Sequence, residues 1–233
     1  KQNEDIIHNQ RKAAWADVAR KIAHEIKNPL TPIQLSAERL KRKYLSQITL
    51  DPETFEACID TIVRQVDHIG NLVSEFSSFA RMPEPNMSMT DMKVMALNTL
   101  ELQKQAYSQV KFLFESPENI VWKCDEQQIS QAITNLLQNS INAILENNTI
   151  NPTIALTLLL ESKTFIIVVE DNGPGLPVED CEKLMQPYYT TREKGTGLGL
   201  AIVYKITMDH NGRVLFDRSK TLGGAKVTLE FSL

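Results

Sequence analysis

His24 and Glu25 stand side by side in the run His24-Glu-Ile-Lys-Asn-Pro-Leu-Thr-Pro32. An imidazole beside a carboxylate is a nucleophile with a base at hand. The carboxylate can orient the ring and take its second proton as the ring gains positive charge. A zinc site of the H-E-x-x-H kind is excluded, because Asn28 stands where the second histidine is needed. A lone surface histidine is commonplace, so the weight falls on its company. Pro29 and Pro32 each withdraw an N–H from the helical ladder, and the spacing predicts a bend within a turn or two of His24.

Three further groups of residues are suited to a nucleotide. Asn135, Asn139 and Asn142 fall at i, i+4 and i+7, one face of a helix. Asparagine is a poor helix former, so three on one stripe need a reason. Their carbonyl oxygens suit hard Mg²⁺, a cation that keeps waters and phosphate oxygens in its shell. Asp171 follows the apolar run FIIVVE and opens Asp171-Asn-Gly-Pro-Gly175. A carboxylate at a strand end can accept a hydrogen bond from an exocyclic amino group such as adenine's, and Gly173 and Gly175 permit close approach. Taken alone, Asp-Asn-Gly is equally a hairpin turn. Finally, Gly195-Thr-Gly-Leu-Gly-Leu200 opens a helix, where glycine amides and the helix dipole favour phosphate. The polar YYTTREK before it is no strand, so a Rossmann loop is excluded, and no G-x-x-x-x-G-K-[ST] is present.

The elements that must carry these residues are legible from periodicity. Residues 5–45 read as one long helix, with apolar or small positions at Trp15, Val18, Ile22, Ile26, Leu30, Ile33, Ala37, Leu40 and Tyr44. His24 lies about 200° from Ile22 and so faces away from that seam. Asp51-Pro52 opens a second helix with Phe55, Ile59, Ile62, Val66, Ile69, Leu72, Phe76 and Phe79 on its stripe. The short polar connection makes the pair antiparallel. A two-helix hairpin has little core, so two hairpins should join as a four-helix bundle. Arg81-Met-Pro-Glu-Pro-Asn86 is a linker. Beyond it, helices are expected at 91–106, 125–146 and 198–210. Strands are expected at 110–114, 120–123, 153–160, 164–170, 213–217 and 225–231. That order is α+β, with helices over one face of a mixed sheet.

Composition sets the outer limits. The chain has 233 residues, 42% of them hydrophobic, enough for one or two domains. Its 25 basic and 29 acidic residues leave a net charge of −4, which does not favour nucleic acid as a partner. The apolar runs are too short to span a bilayer. The polar start carries no secretory signal, and the leading Lys1 reads as part of a longer chain. Three cysteines without a CxxC suit a reducing compartment.

In this order the segments resemble the core of a sensor histidine kinase. HEIKNPLTPI looks like the family's H box, NLLQNSINA its N box and DNGPG its G1 box. PYYTTREKGTGLGL resembles the F and G2 boxes, and GGAKVTL the last glycine segment. FSSFARMPEP together with the H box is most similar to the NtrY branch of nitrogen-regulation kinases. The resemblance implies a dimerisation and phosphotransfer domain at residues 1–85 and an α/β sandwich that binds ATP at 86–233. It implies that His24 accepts the phosphoryl group, Glu25 acts as base, and Asn28 positions a water for phosphatase work. Asn139 would bind Mg²⁺, with Asn135 and Asn142 near the phosphates; many family members have Lys or Arg at the position of Asn142. Asp171 would read adenine, with Gly173 and Gly175 shaping the wall. Thr190, Thr191, Arg192 and Lys194 would belong to a lid, and Gly195, Thr196, Gly197, Leu198 and Gly199 would hold phosphate. The implied partners are a second copy and the receiver domain of a response regulator, NtrX-like in kind. The implied location is the cytoplasmic part of an inner-membrane sensor, with any membrane segment outside these residues. Two rivals stand beside this reading. A gyrase- or chaperone-type ATPase would not need His24-Glu25 and would use a glutamate near Asn135. A non-catalytic scaffold would not need complete motifs.

Overall fold

A computed structural model describes residues 2–80, 82–176, 181–187, 189–190 and 195–232, with side chains from residue 22 onward except at 78, 79, 181 and 182. By its contacts the chain divides into two units, Lys1–Pro83 with Arg192–Thr196, and Glu84–Thr191 with Gly197–Leu233.

The helical unit consists of α1 (Gln2–Tyr44) and α2 (Pro52–Ala80), joined through a 3-10 turn at Leu45–Gln47. They are antiparallel, as the short connection requires: near the turn, Lys41 Nζ reaches Asp60 Oδ1 at 2.7 Å and Glu56 Oε1 at 2.9 Å. Asp51 caps α2 by accepting from Thr54 N at 3.1 Å. Hydrogen bonds from Thr54, side chain and backbone, hold the Asp51 carboxyl below the ordinary carboxylate range. α1 continues as one helix through Pro29 and Pro32, the two prolines at which the sequence predicts a bend. Each proline cancels a single backbone bond, and the remaining ladder of a 43-residue helix carries the segment across.

The apolar stripes divide into two sets. Ala37, Ile59 and Val66 are buried within the hairpin, together with Ala23 and Val73, which the periodicity does not place on the stripes. Ile22, Ile26, Ile33, Leu40, Ile62 and Ile69 stay 37–47% exposed. An apolar groove of about 380 Å³ runs between Pro32, Ile33, Ala37, Leu40, Ile59 and Ile62. The side chains of Trp15, Val18 and Phe79, also placed on the stripes, lie outside the described residues.

In the second unit the expected elements are present: α3 (Met92–Ala106), β2 (Lys111–Glu115), β3 (Val121–Cys124), α4 (Glu126–Glu146), β4 (Thr153–Glu161), β5 (Thr164–Asp171), α6 (Gly199–Asp209), β6 (Gly212–Arg218) and β7 (Ala225–Ser232). Two short elements are additional, β1 (Ser88–Asp91) and α5 (Cys181–Leu184). The five-stranded sheet has the order β2-β4-β5-β7-β6. Only the β2–β4 pair is parallel within it. β1 and β3 form a separate antiparallel pair. Burial alternates along β4 at Ile154, Leu156 and Leu158 and along β7 at Ala225, Val227, Leu229 and Phe231, so one sheet face holds the core. Leu136, Leu137, Ile141 and Ile144 of α4 and Ile202 and Ile206 of α6 complete it. Among the described residues, no helix is long and apolar enough to cross a membrane.

Candidate functional site

His24, Glu25 and Asn28 are all exposed on α1, whereas the adjacent Ala23 is buried in the hairpin. One residue further along a helix is a turn of about 100°, so His24 points away from the hairpin interior. Asn28 follows at i+4, on the same face one turn along. This is the placement an attacking imidazole needs, open to a second reactant and clear of the packing that fixes its helix.

The second cluster is built on α4 and the end of β5. The buried side of α4 seats Leu136, Leu137, Ile141 and Ile144. Asn135, Asn139 and Asn142 are half-buried along its flank. Asn135 Nδ2 is buried with no hydrogen-bond partner among the described residues, a donor waiting for an oxygen. A Cβ placed on Gly199, the first residue of α6, would lie 3.6 Å from Asn139 Oδ1. The start of α6 thus faces Asn139. Asp91 and Asp125 cap α3 and α4 with their side chains, but the start of α6 has no side-chain cap. Its leading amides and positive dipole end suit phosphate. Gly197 just before it has φ +69°, a conformation that L side chains rarely adopt.

Asp171 is 2% exposed. Oδ1 accepts from Gly173 N at 2.9 Å and Ala225 N at 3.0 Å, and Oδ2 accepts from Ser140 Oγ at 2.8 Å. A carboxylate has about four acceptor positions, so Oδ2 keeps one for an incoming N–H donor. Gly224 closes the arrangement from the other side. Its N–H donates to Asp171 O at 3.0 Å, and a Cβ there would fall 2.4 Å from Asp171 Oδ1. Asn172 braces the corner: Oδ1 accepts from Thr153 N at 2.8 Å, and Nδ2 donates to Asn151 O at 2.9 Å. Ser140 links the two motifs, since it follows Asn139 on α4 and bonds Asp171 on β5.

The remaining sequence candidates are distributed as follows. Gly173 and Gly175 flank this corner, and Gly175 has φ +89°. Leu198 is fully buried. Thr190 is exposed. Gly195 and Thr196 fall with the helical unit by their contacts, Thr196 Oγ1 donating to Glu75 Oε2. Thr191, Arg192 and Lys194 lie outside the described residues. Ser140 and Gly224 are the functional positions that sequence reasoning did not assign.

These residues fit a nucleotide and a divalent cation through the orphaned Asn135 donor, the Asn139 carbonyl, the uncapped helix start and the spare acceptor of Asp171. Comparison with known proteins bears on the domains as wholes. Residues 14–85 match the His Kinase A (phospho-acceptor) domain, and residues 124–233 match the histidine kinase-, DNA gyrase B-, and HSP90-like ATPase. Nitrogen regulation protein NtrY of Azorhizobium caulinodans is 47% identical over 97% of this chain and 30% of its own length. A putative sensor histidine kinase NtrY-like of Rickettsia bellii is 39% identical over 100% of this chain and 38% of its own. The chain therefore spans about a third of the length of these relatives. Among solved structures, histidine kinase ThkA in complex with response regulator protein TrrA superposes with a TM-score of 0.69 at 24% identity, covering 100% of this chain and 66% of that one.

Proposed function

The chain belongs to the histidine kinases, with a phospho-acceptor domain at residues 14–85 and the accompanying ATPase domain at 124–233, and on that premise we propose that it phosphorylates His24 from ATP and passes the group to an aspartate of a response regulator. A ring nitrogen of His24 attacks the γ-phosphorus, the bond to the β-bridging oxygen breaks, and ADP departs. Glu25 takes the imidazole proton. In the ATPase unit, Asn135 and the start of α6 bind phosphate oxygens, and Asp171 accepts from the adenine amino group. Mg²⁺, held at Asn139, supplies charge neutralisation on the phosphates when bound. Gly173 and Gly175 shape the adenine wall, Thr190 to Lys194 form a lid, and Asn142 faces the phosphates. Asn28 directs a water for removal of phosphate from the regulator.

One observation supports this most directly. An exposed His-Glu pair on a hairpin helix shares a chain with an asparagine face, a buried aspartate and an uncapped helix start. A gyrase-type ATPase needs only the latter group. The exposed isoleucines of the hairpin favour a homodimer. By likeness to the NtrY relatives, the receiver domain is NtrX-like, and residues 1–85 and 86–233 are the cytoplasmic domains of an inner-membrane sensor. The test is incubation with γ-labelled ATP followed by acid. An acid-labile label lost in His24→Gln supports the kinase. Phosphate release with no label on the protein favours the simple ATPase.

A further inference from the structure

Asp125 and His210 are buried polar residues far from each other in sequence, and neither belongs to the set assigned to the nucleotide. Asp125 joins three parts of the ATPase unit. Oδ1 accepts from Gln128 N at 3.0 Å, capping α4, and Oδ2 accepts from Asn86 N at 2.8 Å. The Asp125 backbone N–H donates to His210 Nε2 at 3.0 Å. Because Nε2 accepts, the ring proton sits on Nδ1, which donates to Ile206 O at 2.8 Å, one turn back in α6. Trp122 and Phe231 flank the imidazole, with ring centroids 5.8 Å and 6.4 Å away.

The consequence lies at the other end of the same two helices. The N-cap of α4 meets the C-cap of α6 at Asp125 and His210, and Asn139 of α4 meets Gly199 at the start of α6. At 1.5 Å per residue these contacts are roughly 16–21 Å apart along antiparallel helices. A slip of one residue at the clasp would move Asn139 by about 1.5 Å and turn it by about 100°. We infer that Asp125 and His210 are positioning residues, a register clasp that sets Asn139 opposite the phosphate-facing start of α6. Adenine recognition depends on the clasp only in part: Ser140 lies on α4, but Asp171 Oδ1 is also fixed by Gly173 and Ala225, neither of which is on α4 or α6.

The inference rests on the proposed nucleotide site, and the experiment separates the two. In the full chain, His210→Leu removes the acceptor of Asp125 N–H, and His210→Gln keeps one. Binding of the Mg²⁺ complex of a non-hydrolysable ATP analogue should weaken at least fivefold in His210→Leu. Adenosine binding, followed by NMR titration, should stay within twofold of wild type. His210→Gln should recover most of the loss. In the nucleotide-free chain, the amide resonances of Asn139 and Gly199 should shift in the leucine variant and return in the glutamine variant. Equal weakening of both ligands, or no weakening, overturns the clasp, as do unmoved Asn139 and Gly199 resonances. A wild-type chain that binds neither ligand rejects the nucleotide site, while the resonances still decide the clasp. If His210→Leu does not fold, Asn86→Pro removes one arm at an exposed position. It should show the same split between ligands at about twofold, and no split overturns the inference.

Discussion

Asp171 is held so completely that its neighbours should be as sensitive as the residue itself. Ser140→Ala removes the donor to Oδ2, and hydrogen bonds to charged groups contribute about 1.5–3 kcal/mol. The variant should lose stability of that order in urea unfolding and bind nucleotide more weakly. Gly224→Ala should be worse, because its Cβ would meet Asp171 O at 2.5 Å and Gly173 N at 2.6 Å, and neither is a flexible chain end. Calorimetry should show at least tenfold weaker ATP binding at an unchanged far-UV spectrum. Asp171 was legible in the sequence because a charged residue closed an apolar strand. Its partners were not, since they lie 31 and 53 residues away, and only folding brings them in. One signal was available for Ser140: it shares a face with Leu136 and Ile144, and a hydroxyl on an apolar stripe implies a buried partner. On the hairpin, Asn28→Ala should spare most labelling of His24 yet slow loss of phosphate from the regulator. Parallel losses of both activities would reject a separate role for Asn28.

At the scale of the element, strong periodicity fixed type and order. The stripes of α1, α2 and α4, and the apolar runs of β4 and β5, leave little choice of conformation. β1 escaped because Ser-Met-Thr-Asp has neither length nor alternation, and it becomes a strand only by pairing with β3. Local chemistry at helix ends was partly legible: Asp125 reads as a cap, but nothing local indicates that its backbone meets His210. Asp51 gives a pH test at this scale. Its folded-state value is lowered by Thr54, so the cap contributes above the unfolded value of about 4 and is lost as pH falls through the lower folded value. Thermal melts should therefore show Asp51→Ala destabilising at pH 6, with the gap to wild type closing towards pH 3. A constant gap would show that the charge is irrelevant. The thiols form a second pair of controls. Burial pushes Cys124 up to about 11, and its Sγ contacts Met92 Sδ at 3.7 Å, whereas Cys58 is exposed on α2. At pH 8, iodoacetamide should modify Cys58 in the folded chain and leave Cys124 untouched until denaturant is added, as read by peptide mass.

For the molecule as a whole, the decisive quantity is the apolar surface that one hairpin leaves uncovered. Six large aliphatic side chains, Ile22, Ile26, Ile33, Leu40, Ile62 and Ile69, are 37–47% exposed on one copy. Full burial of such a side chain contributes about 1.5–3 kcal/mol, so each has under half of that still to gain. A symmetric pair doubles the set and yields roughly 10 kcal/mol before costs. Association itself costs on the order of 4–15 kcal/mol, so the balance is close: these six side chains alone reach at best about −6 kcal/mol, a Kd of about 40 μM, and the rest of the bundle interface must supply the remainder. A close balance is easily tipped. The full chain should sediment as a dimer at tens of micromolar. Ile33→Glu combined with Ile62→Glu places charge in the groove between α1 and α2 and should leave a monomer. Because both positions lie on the hairpin, the variant should bind nucleotide as wild type does, by the same calorimetry. A wild-type chain that stays monomeric at high micromolar concentration would reject the bundle, and a double variant that still dimerises would place the interface on another face.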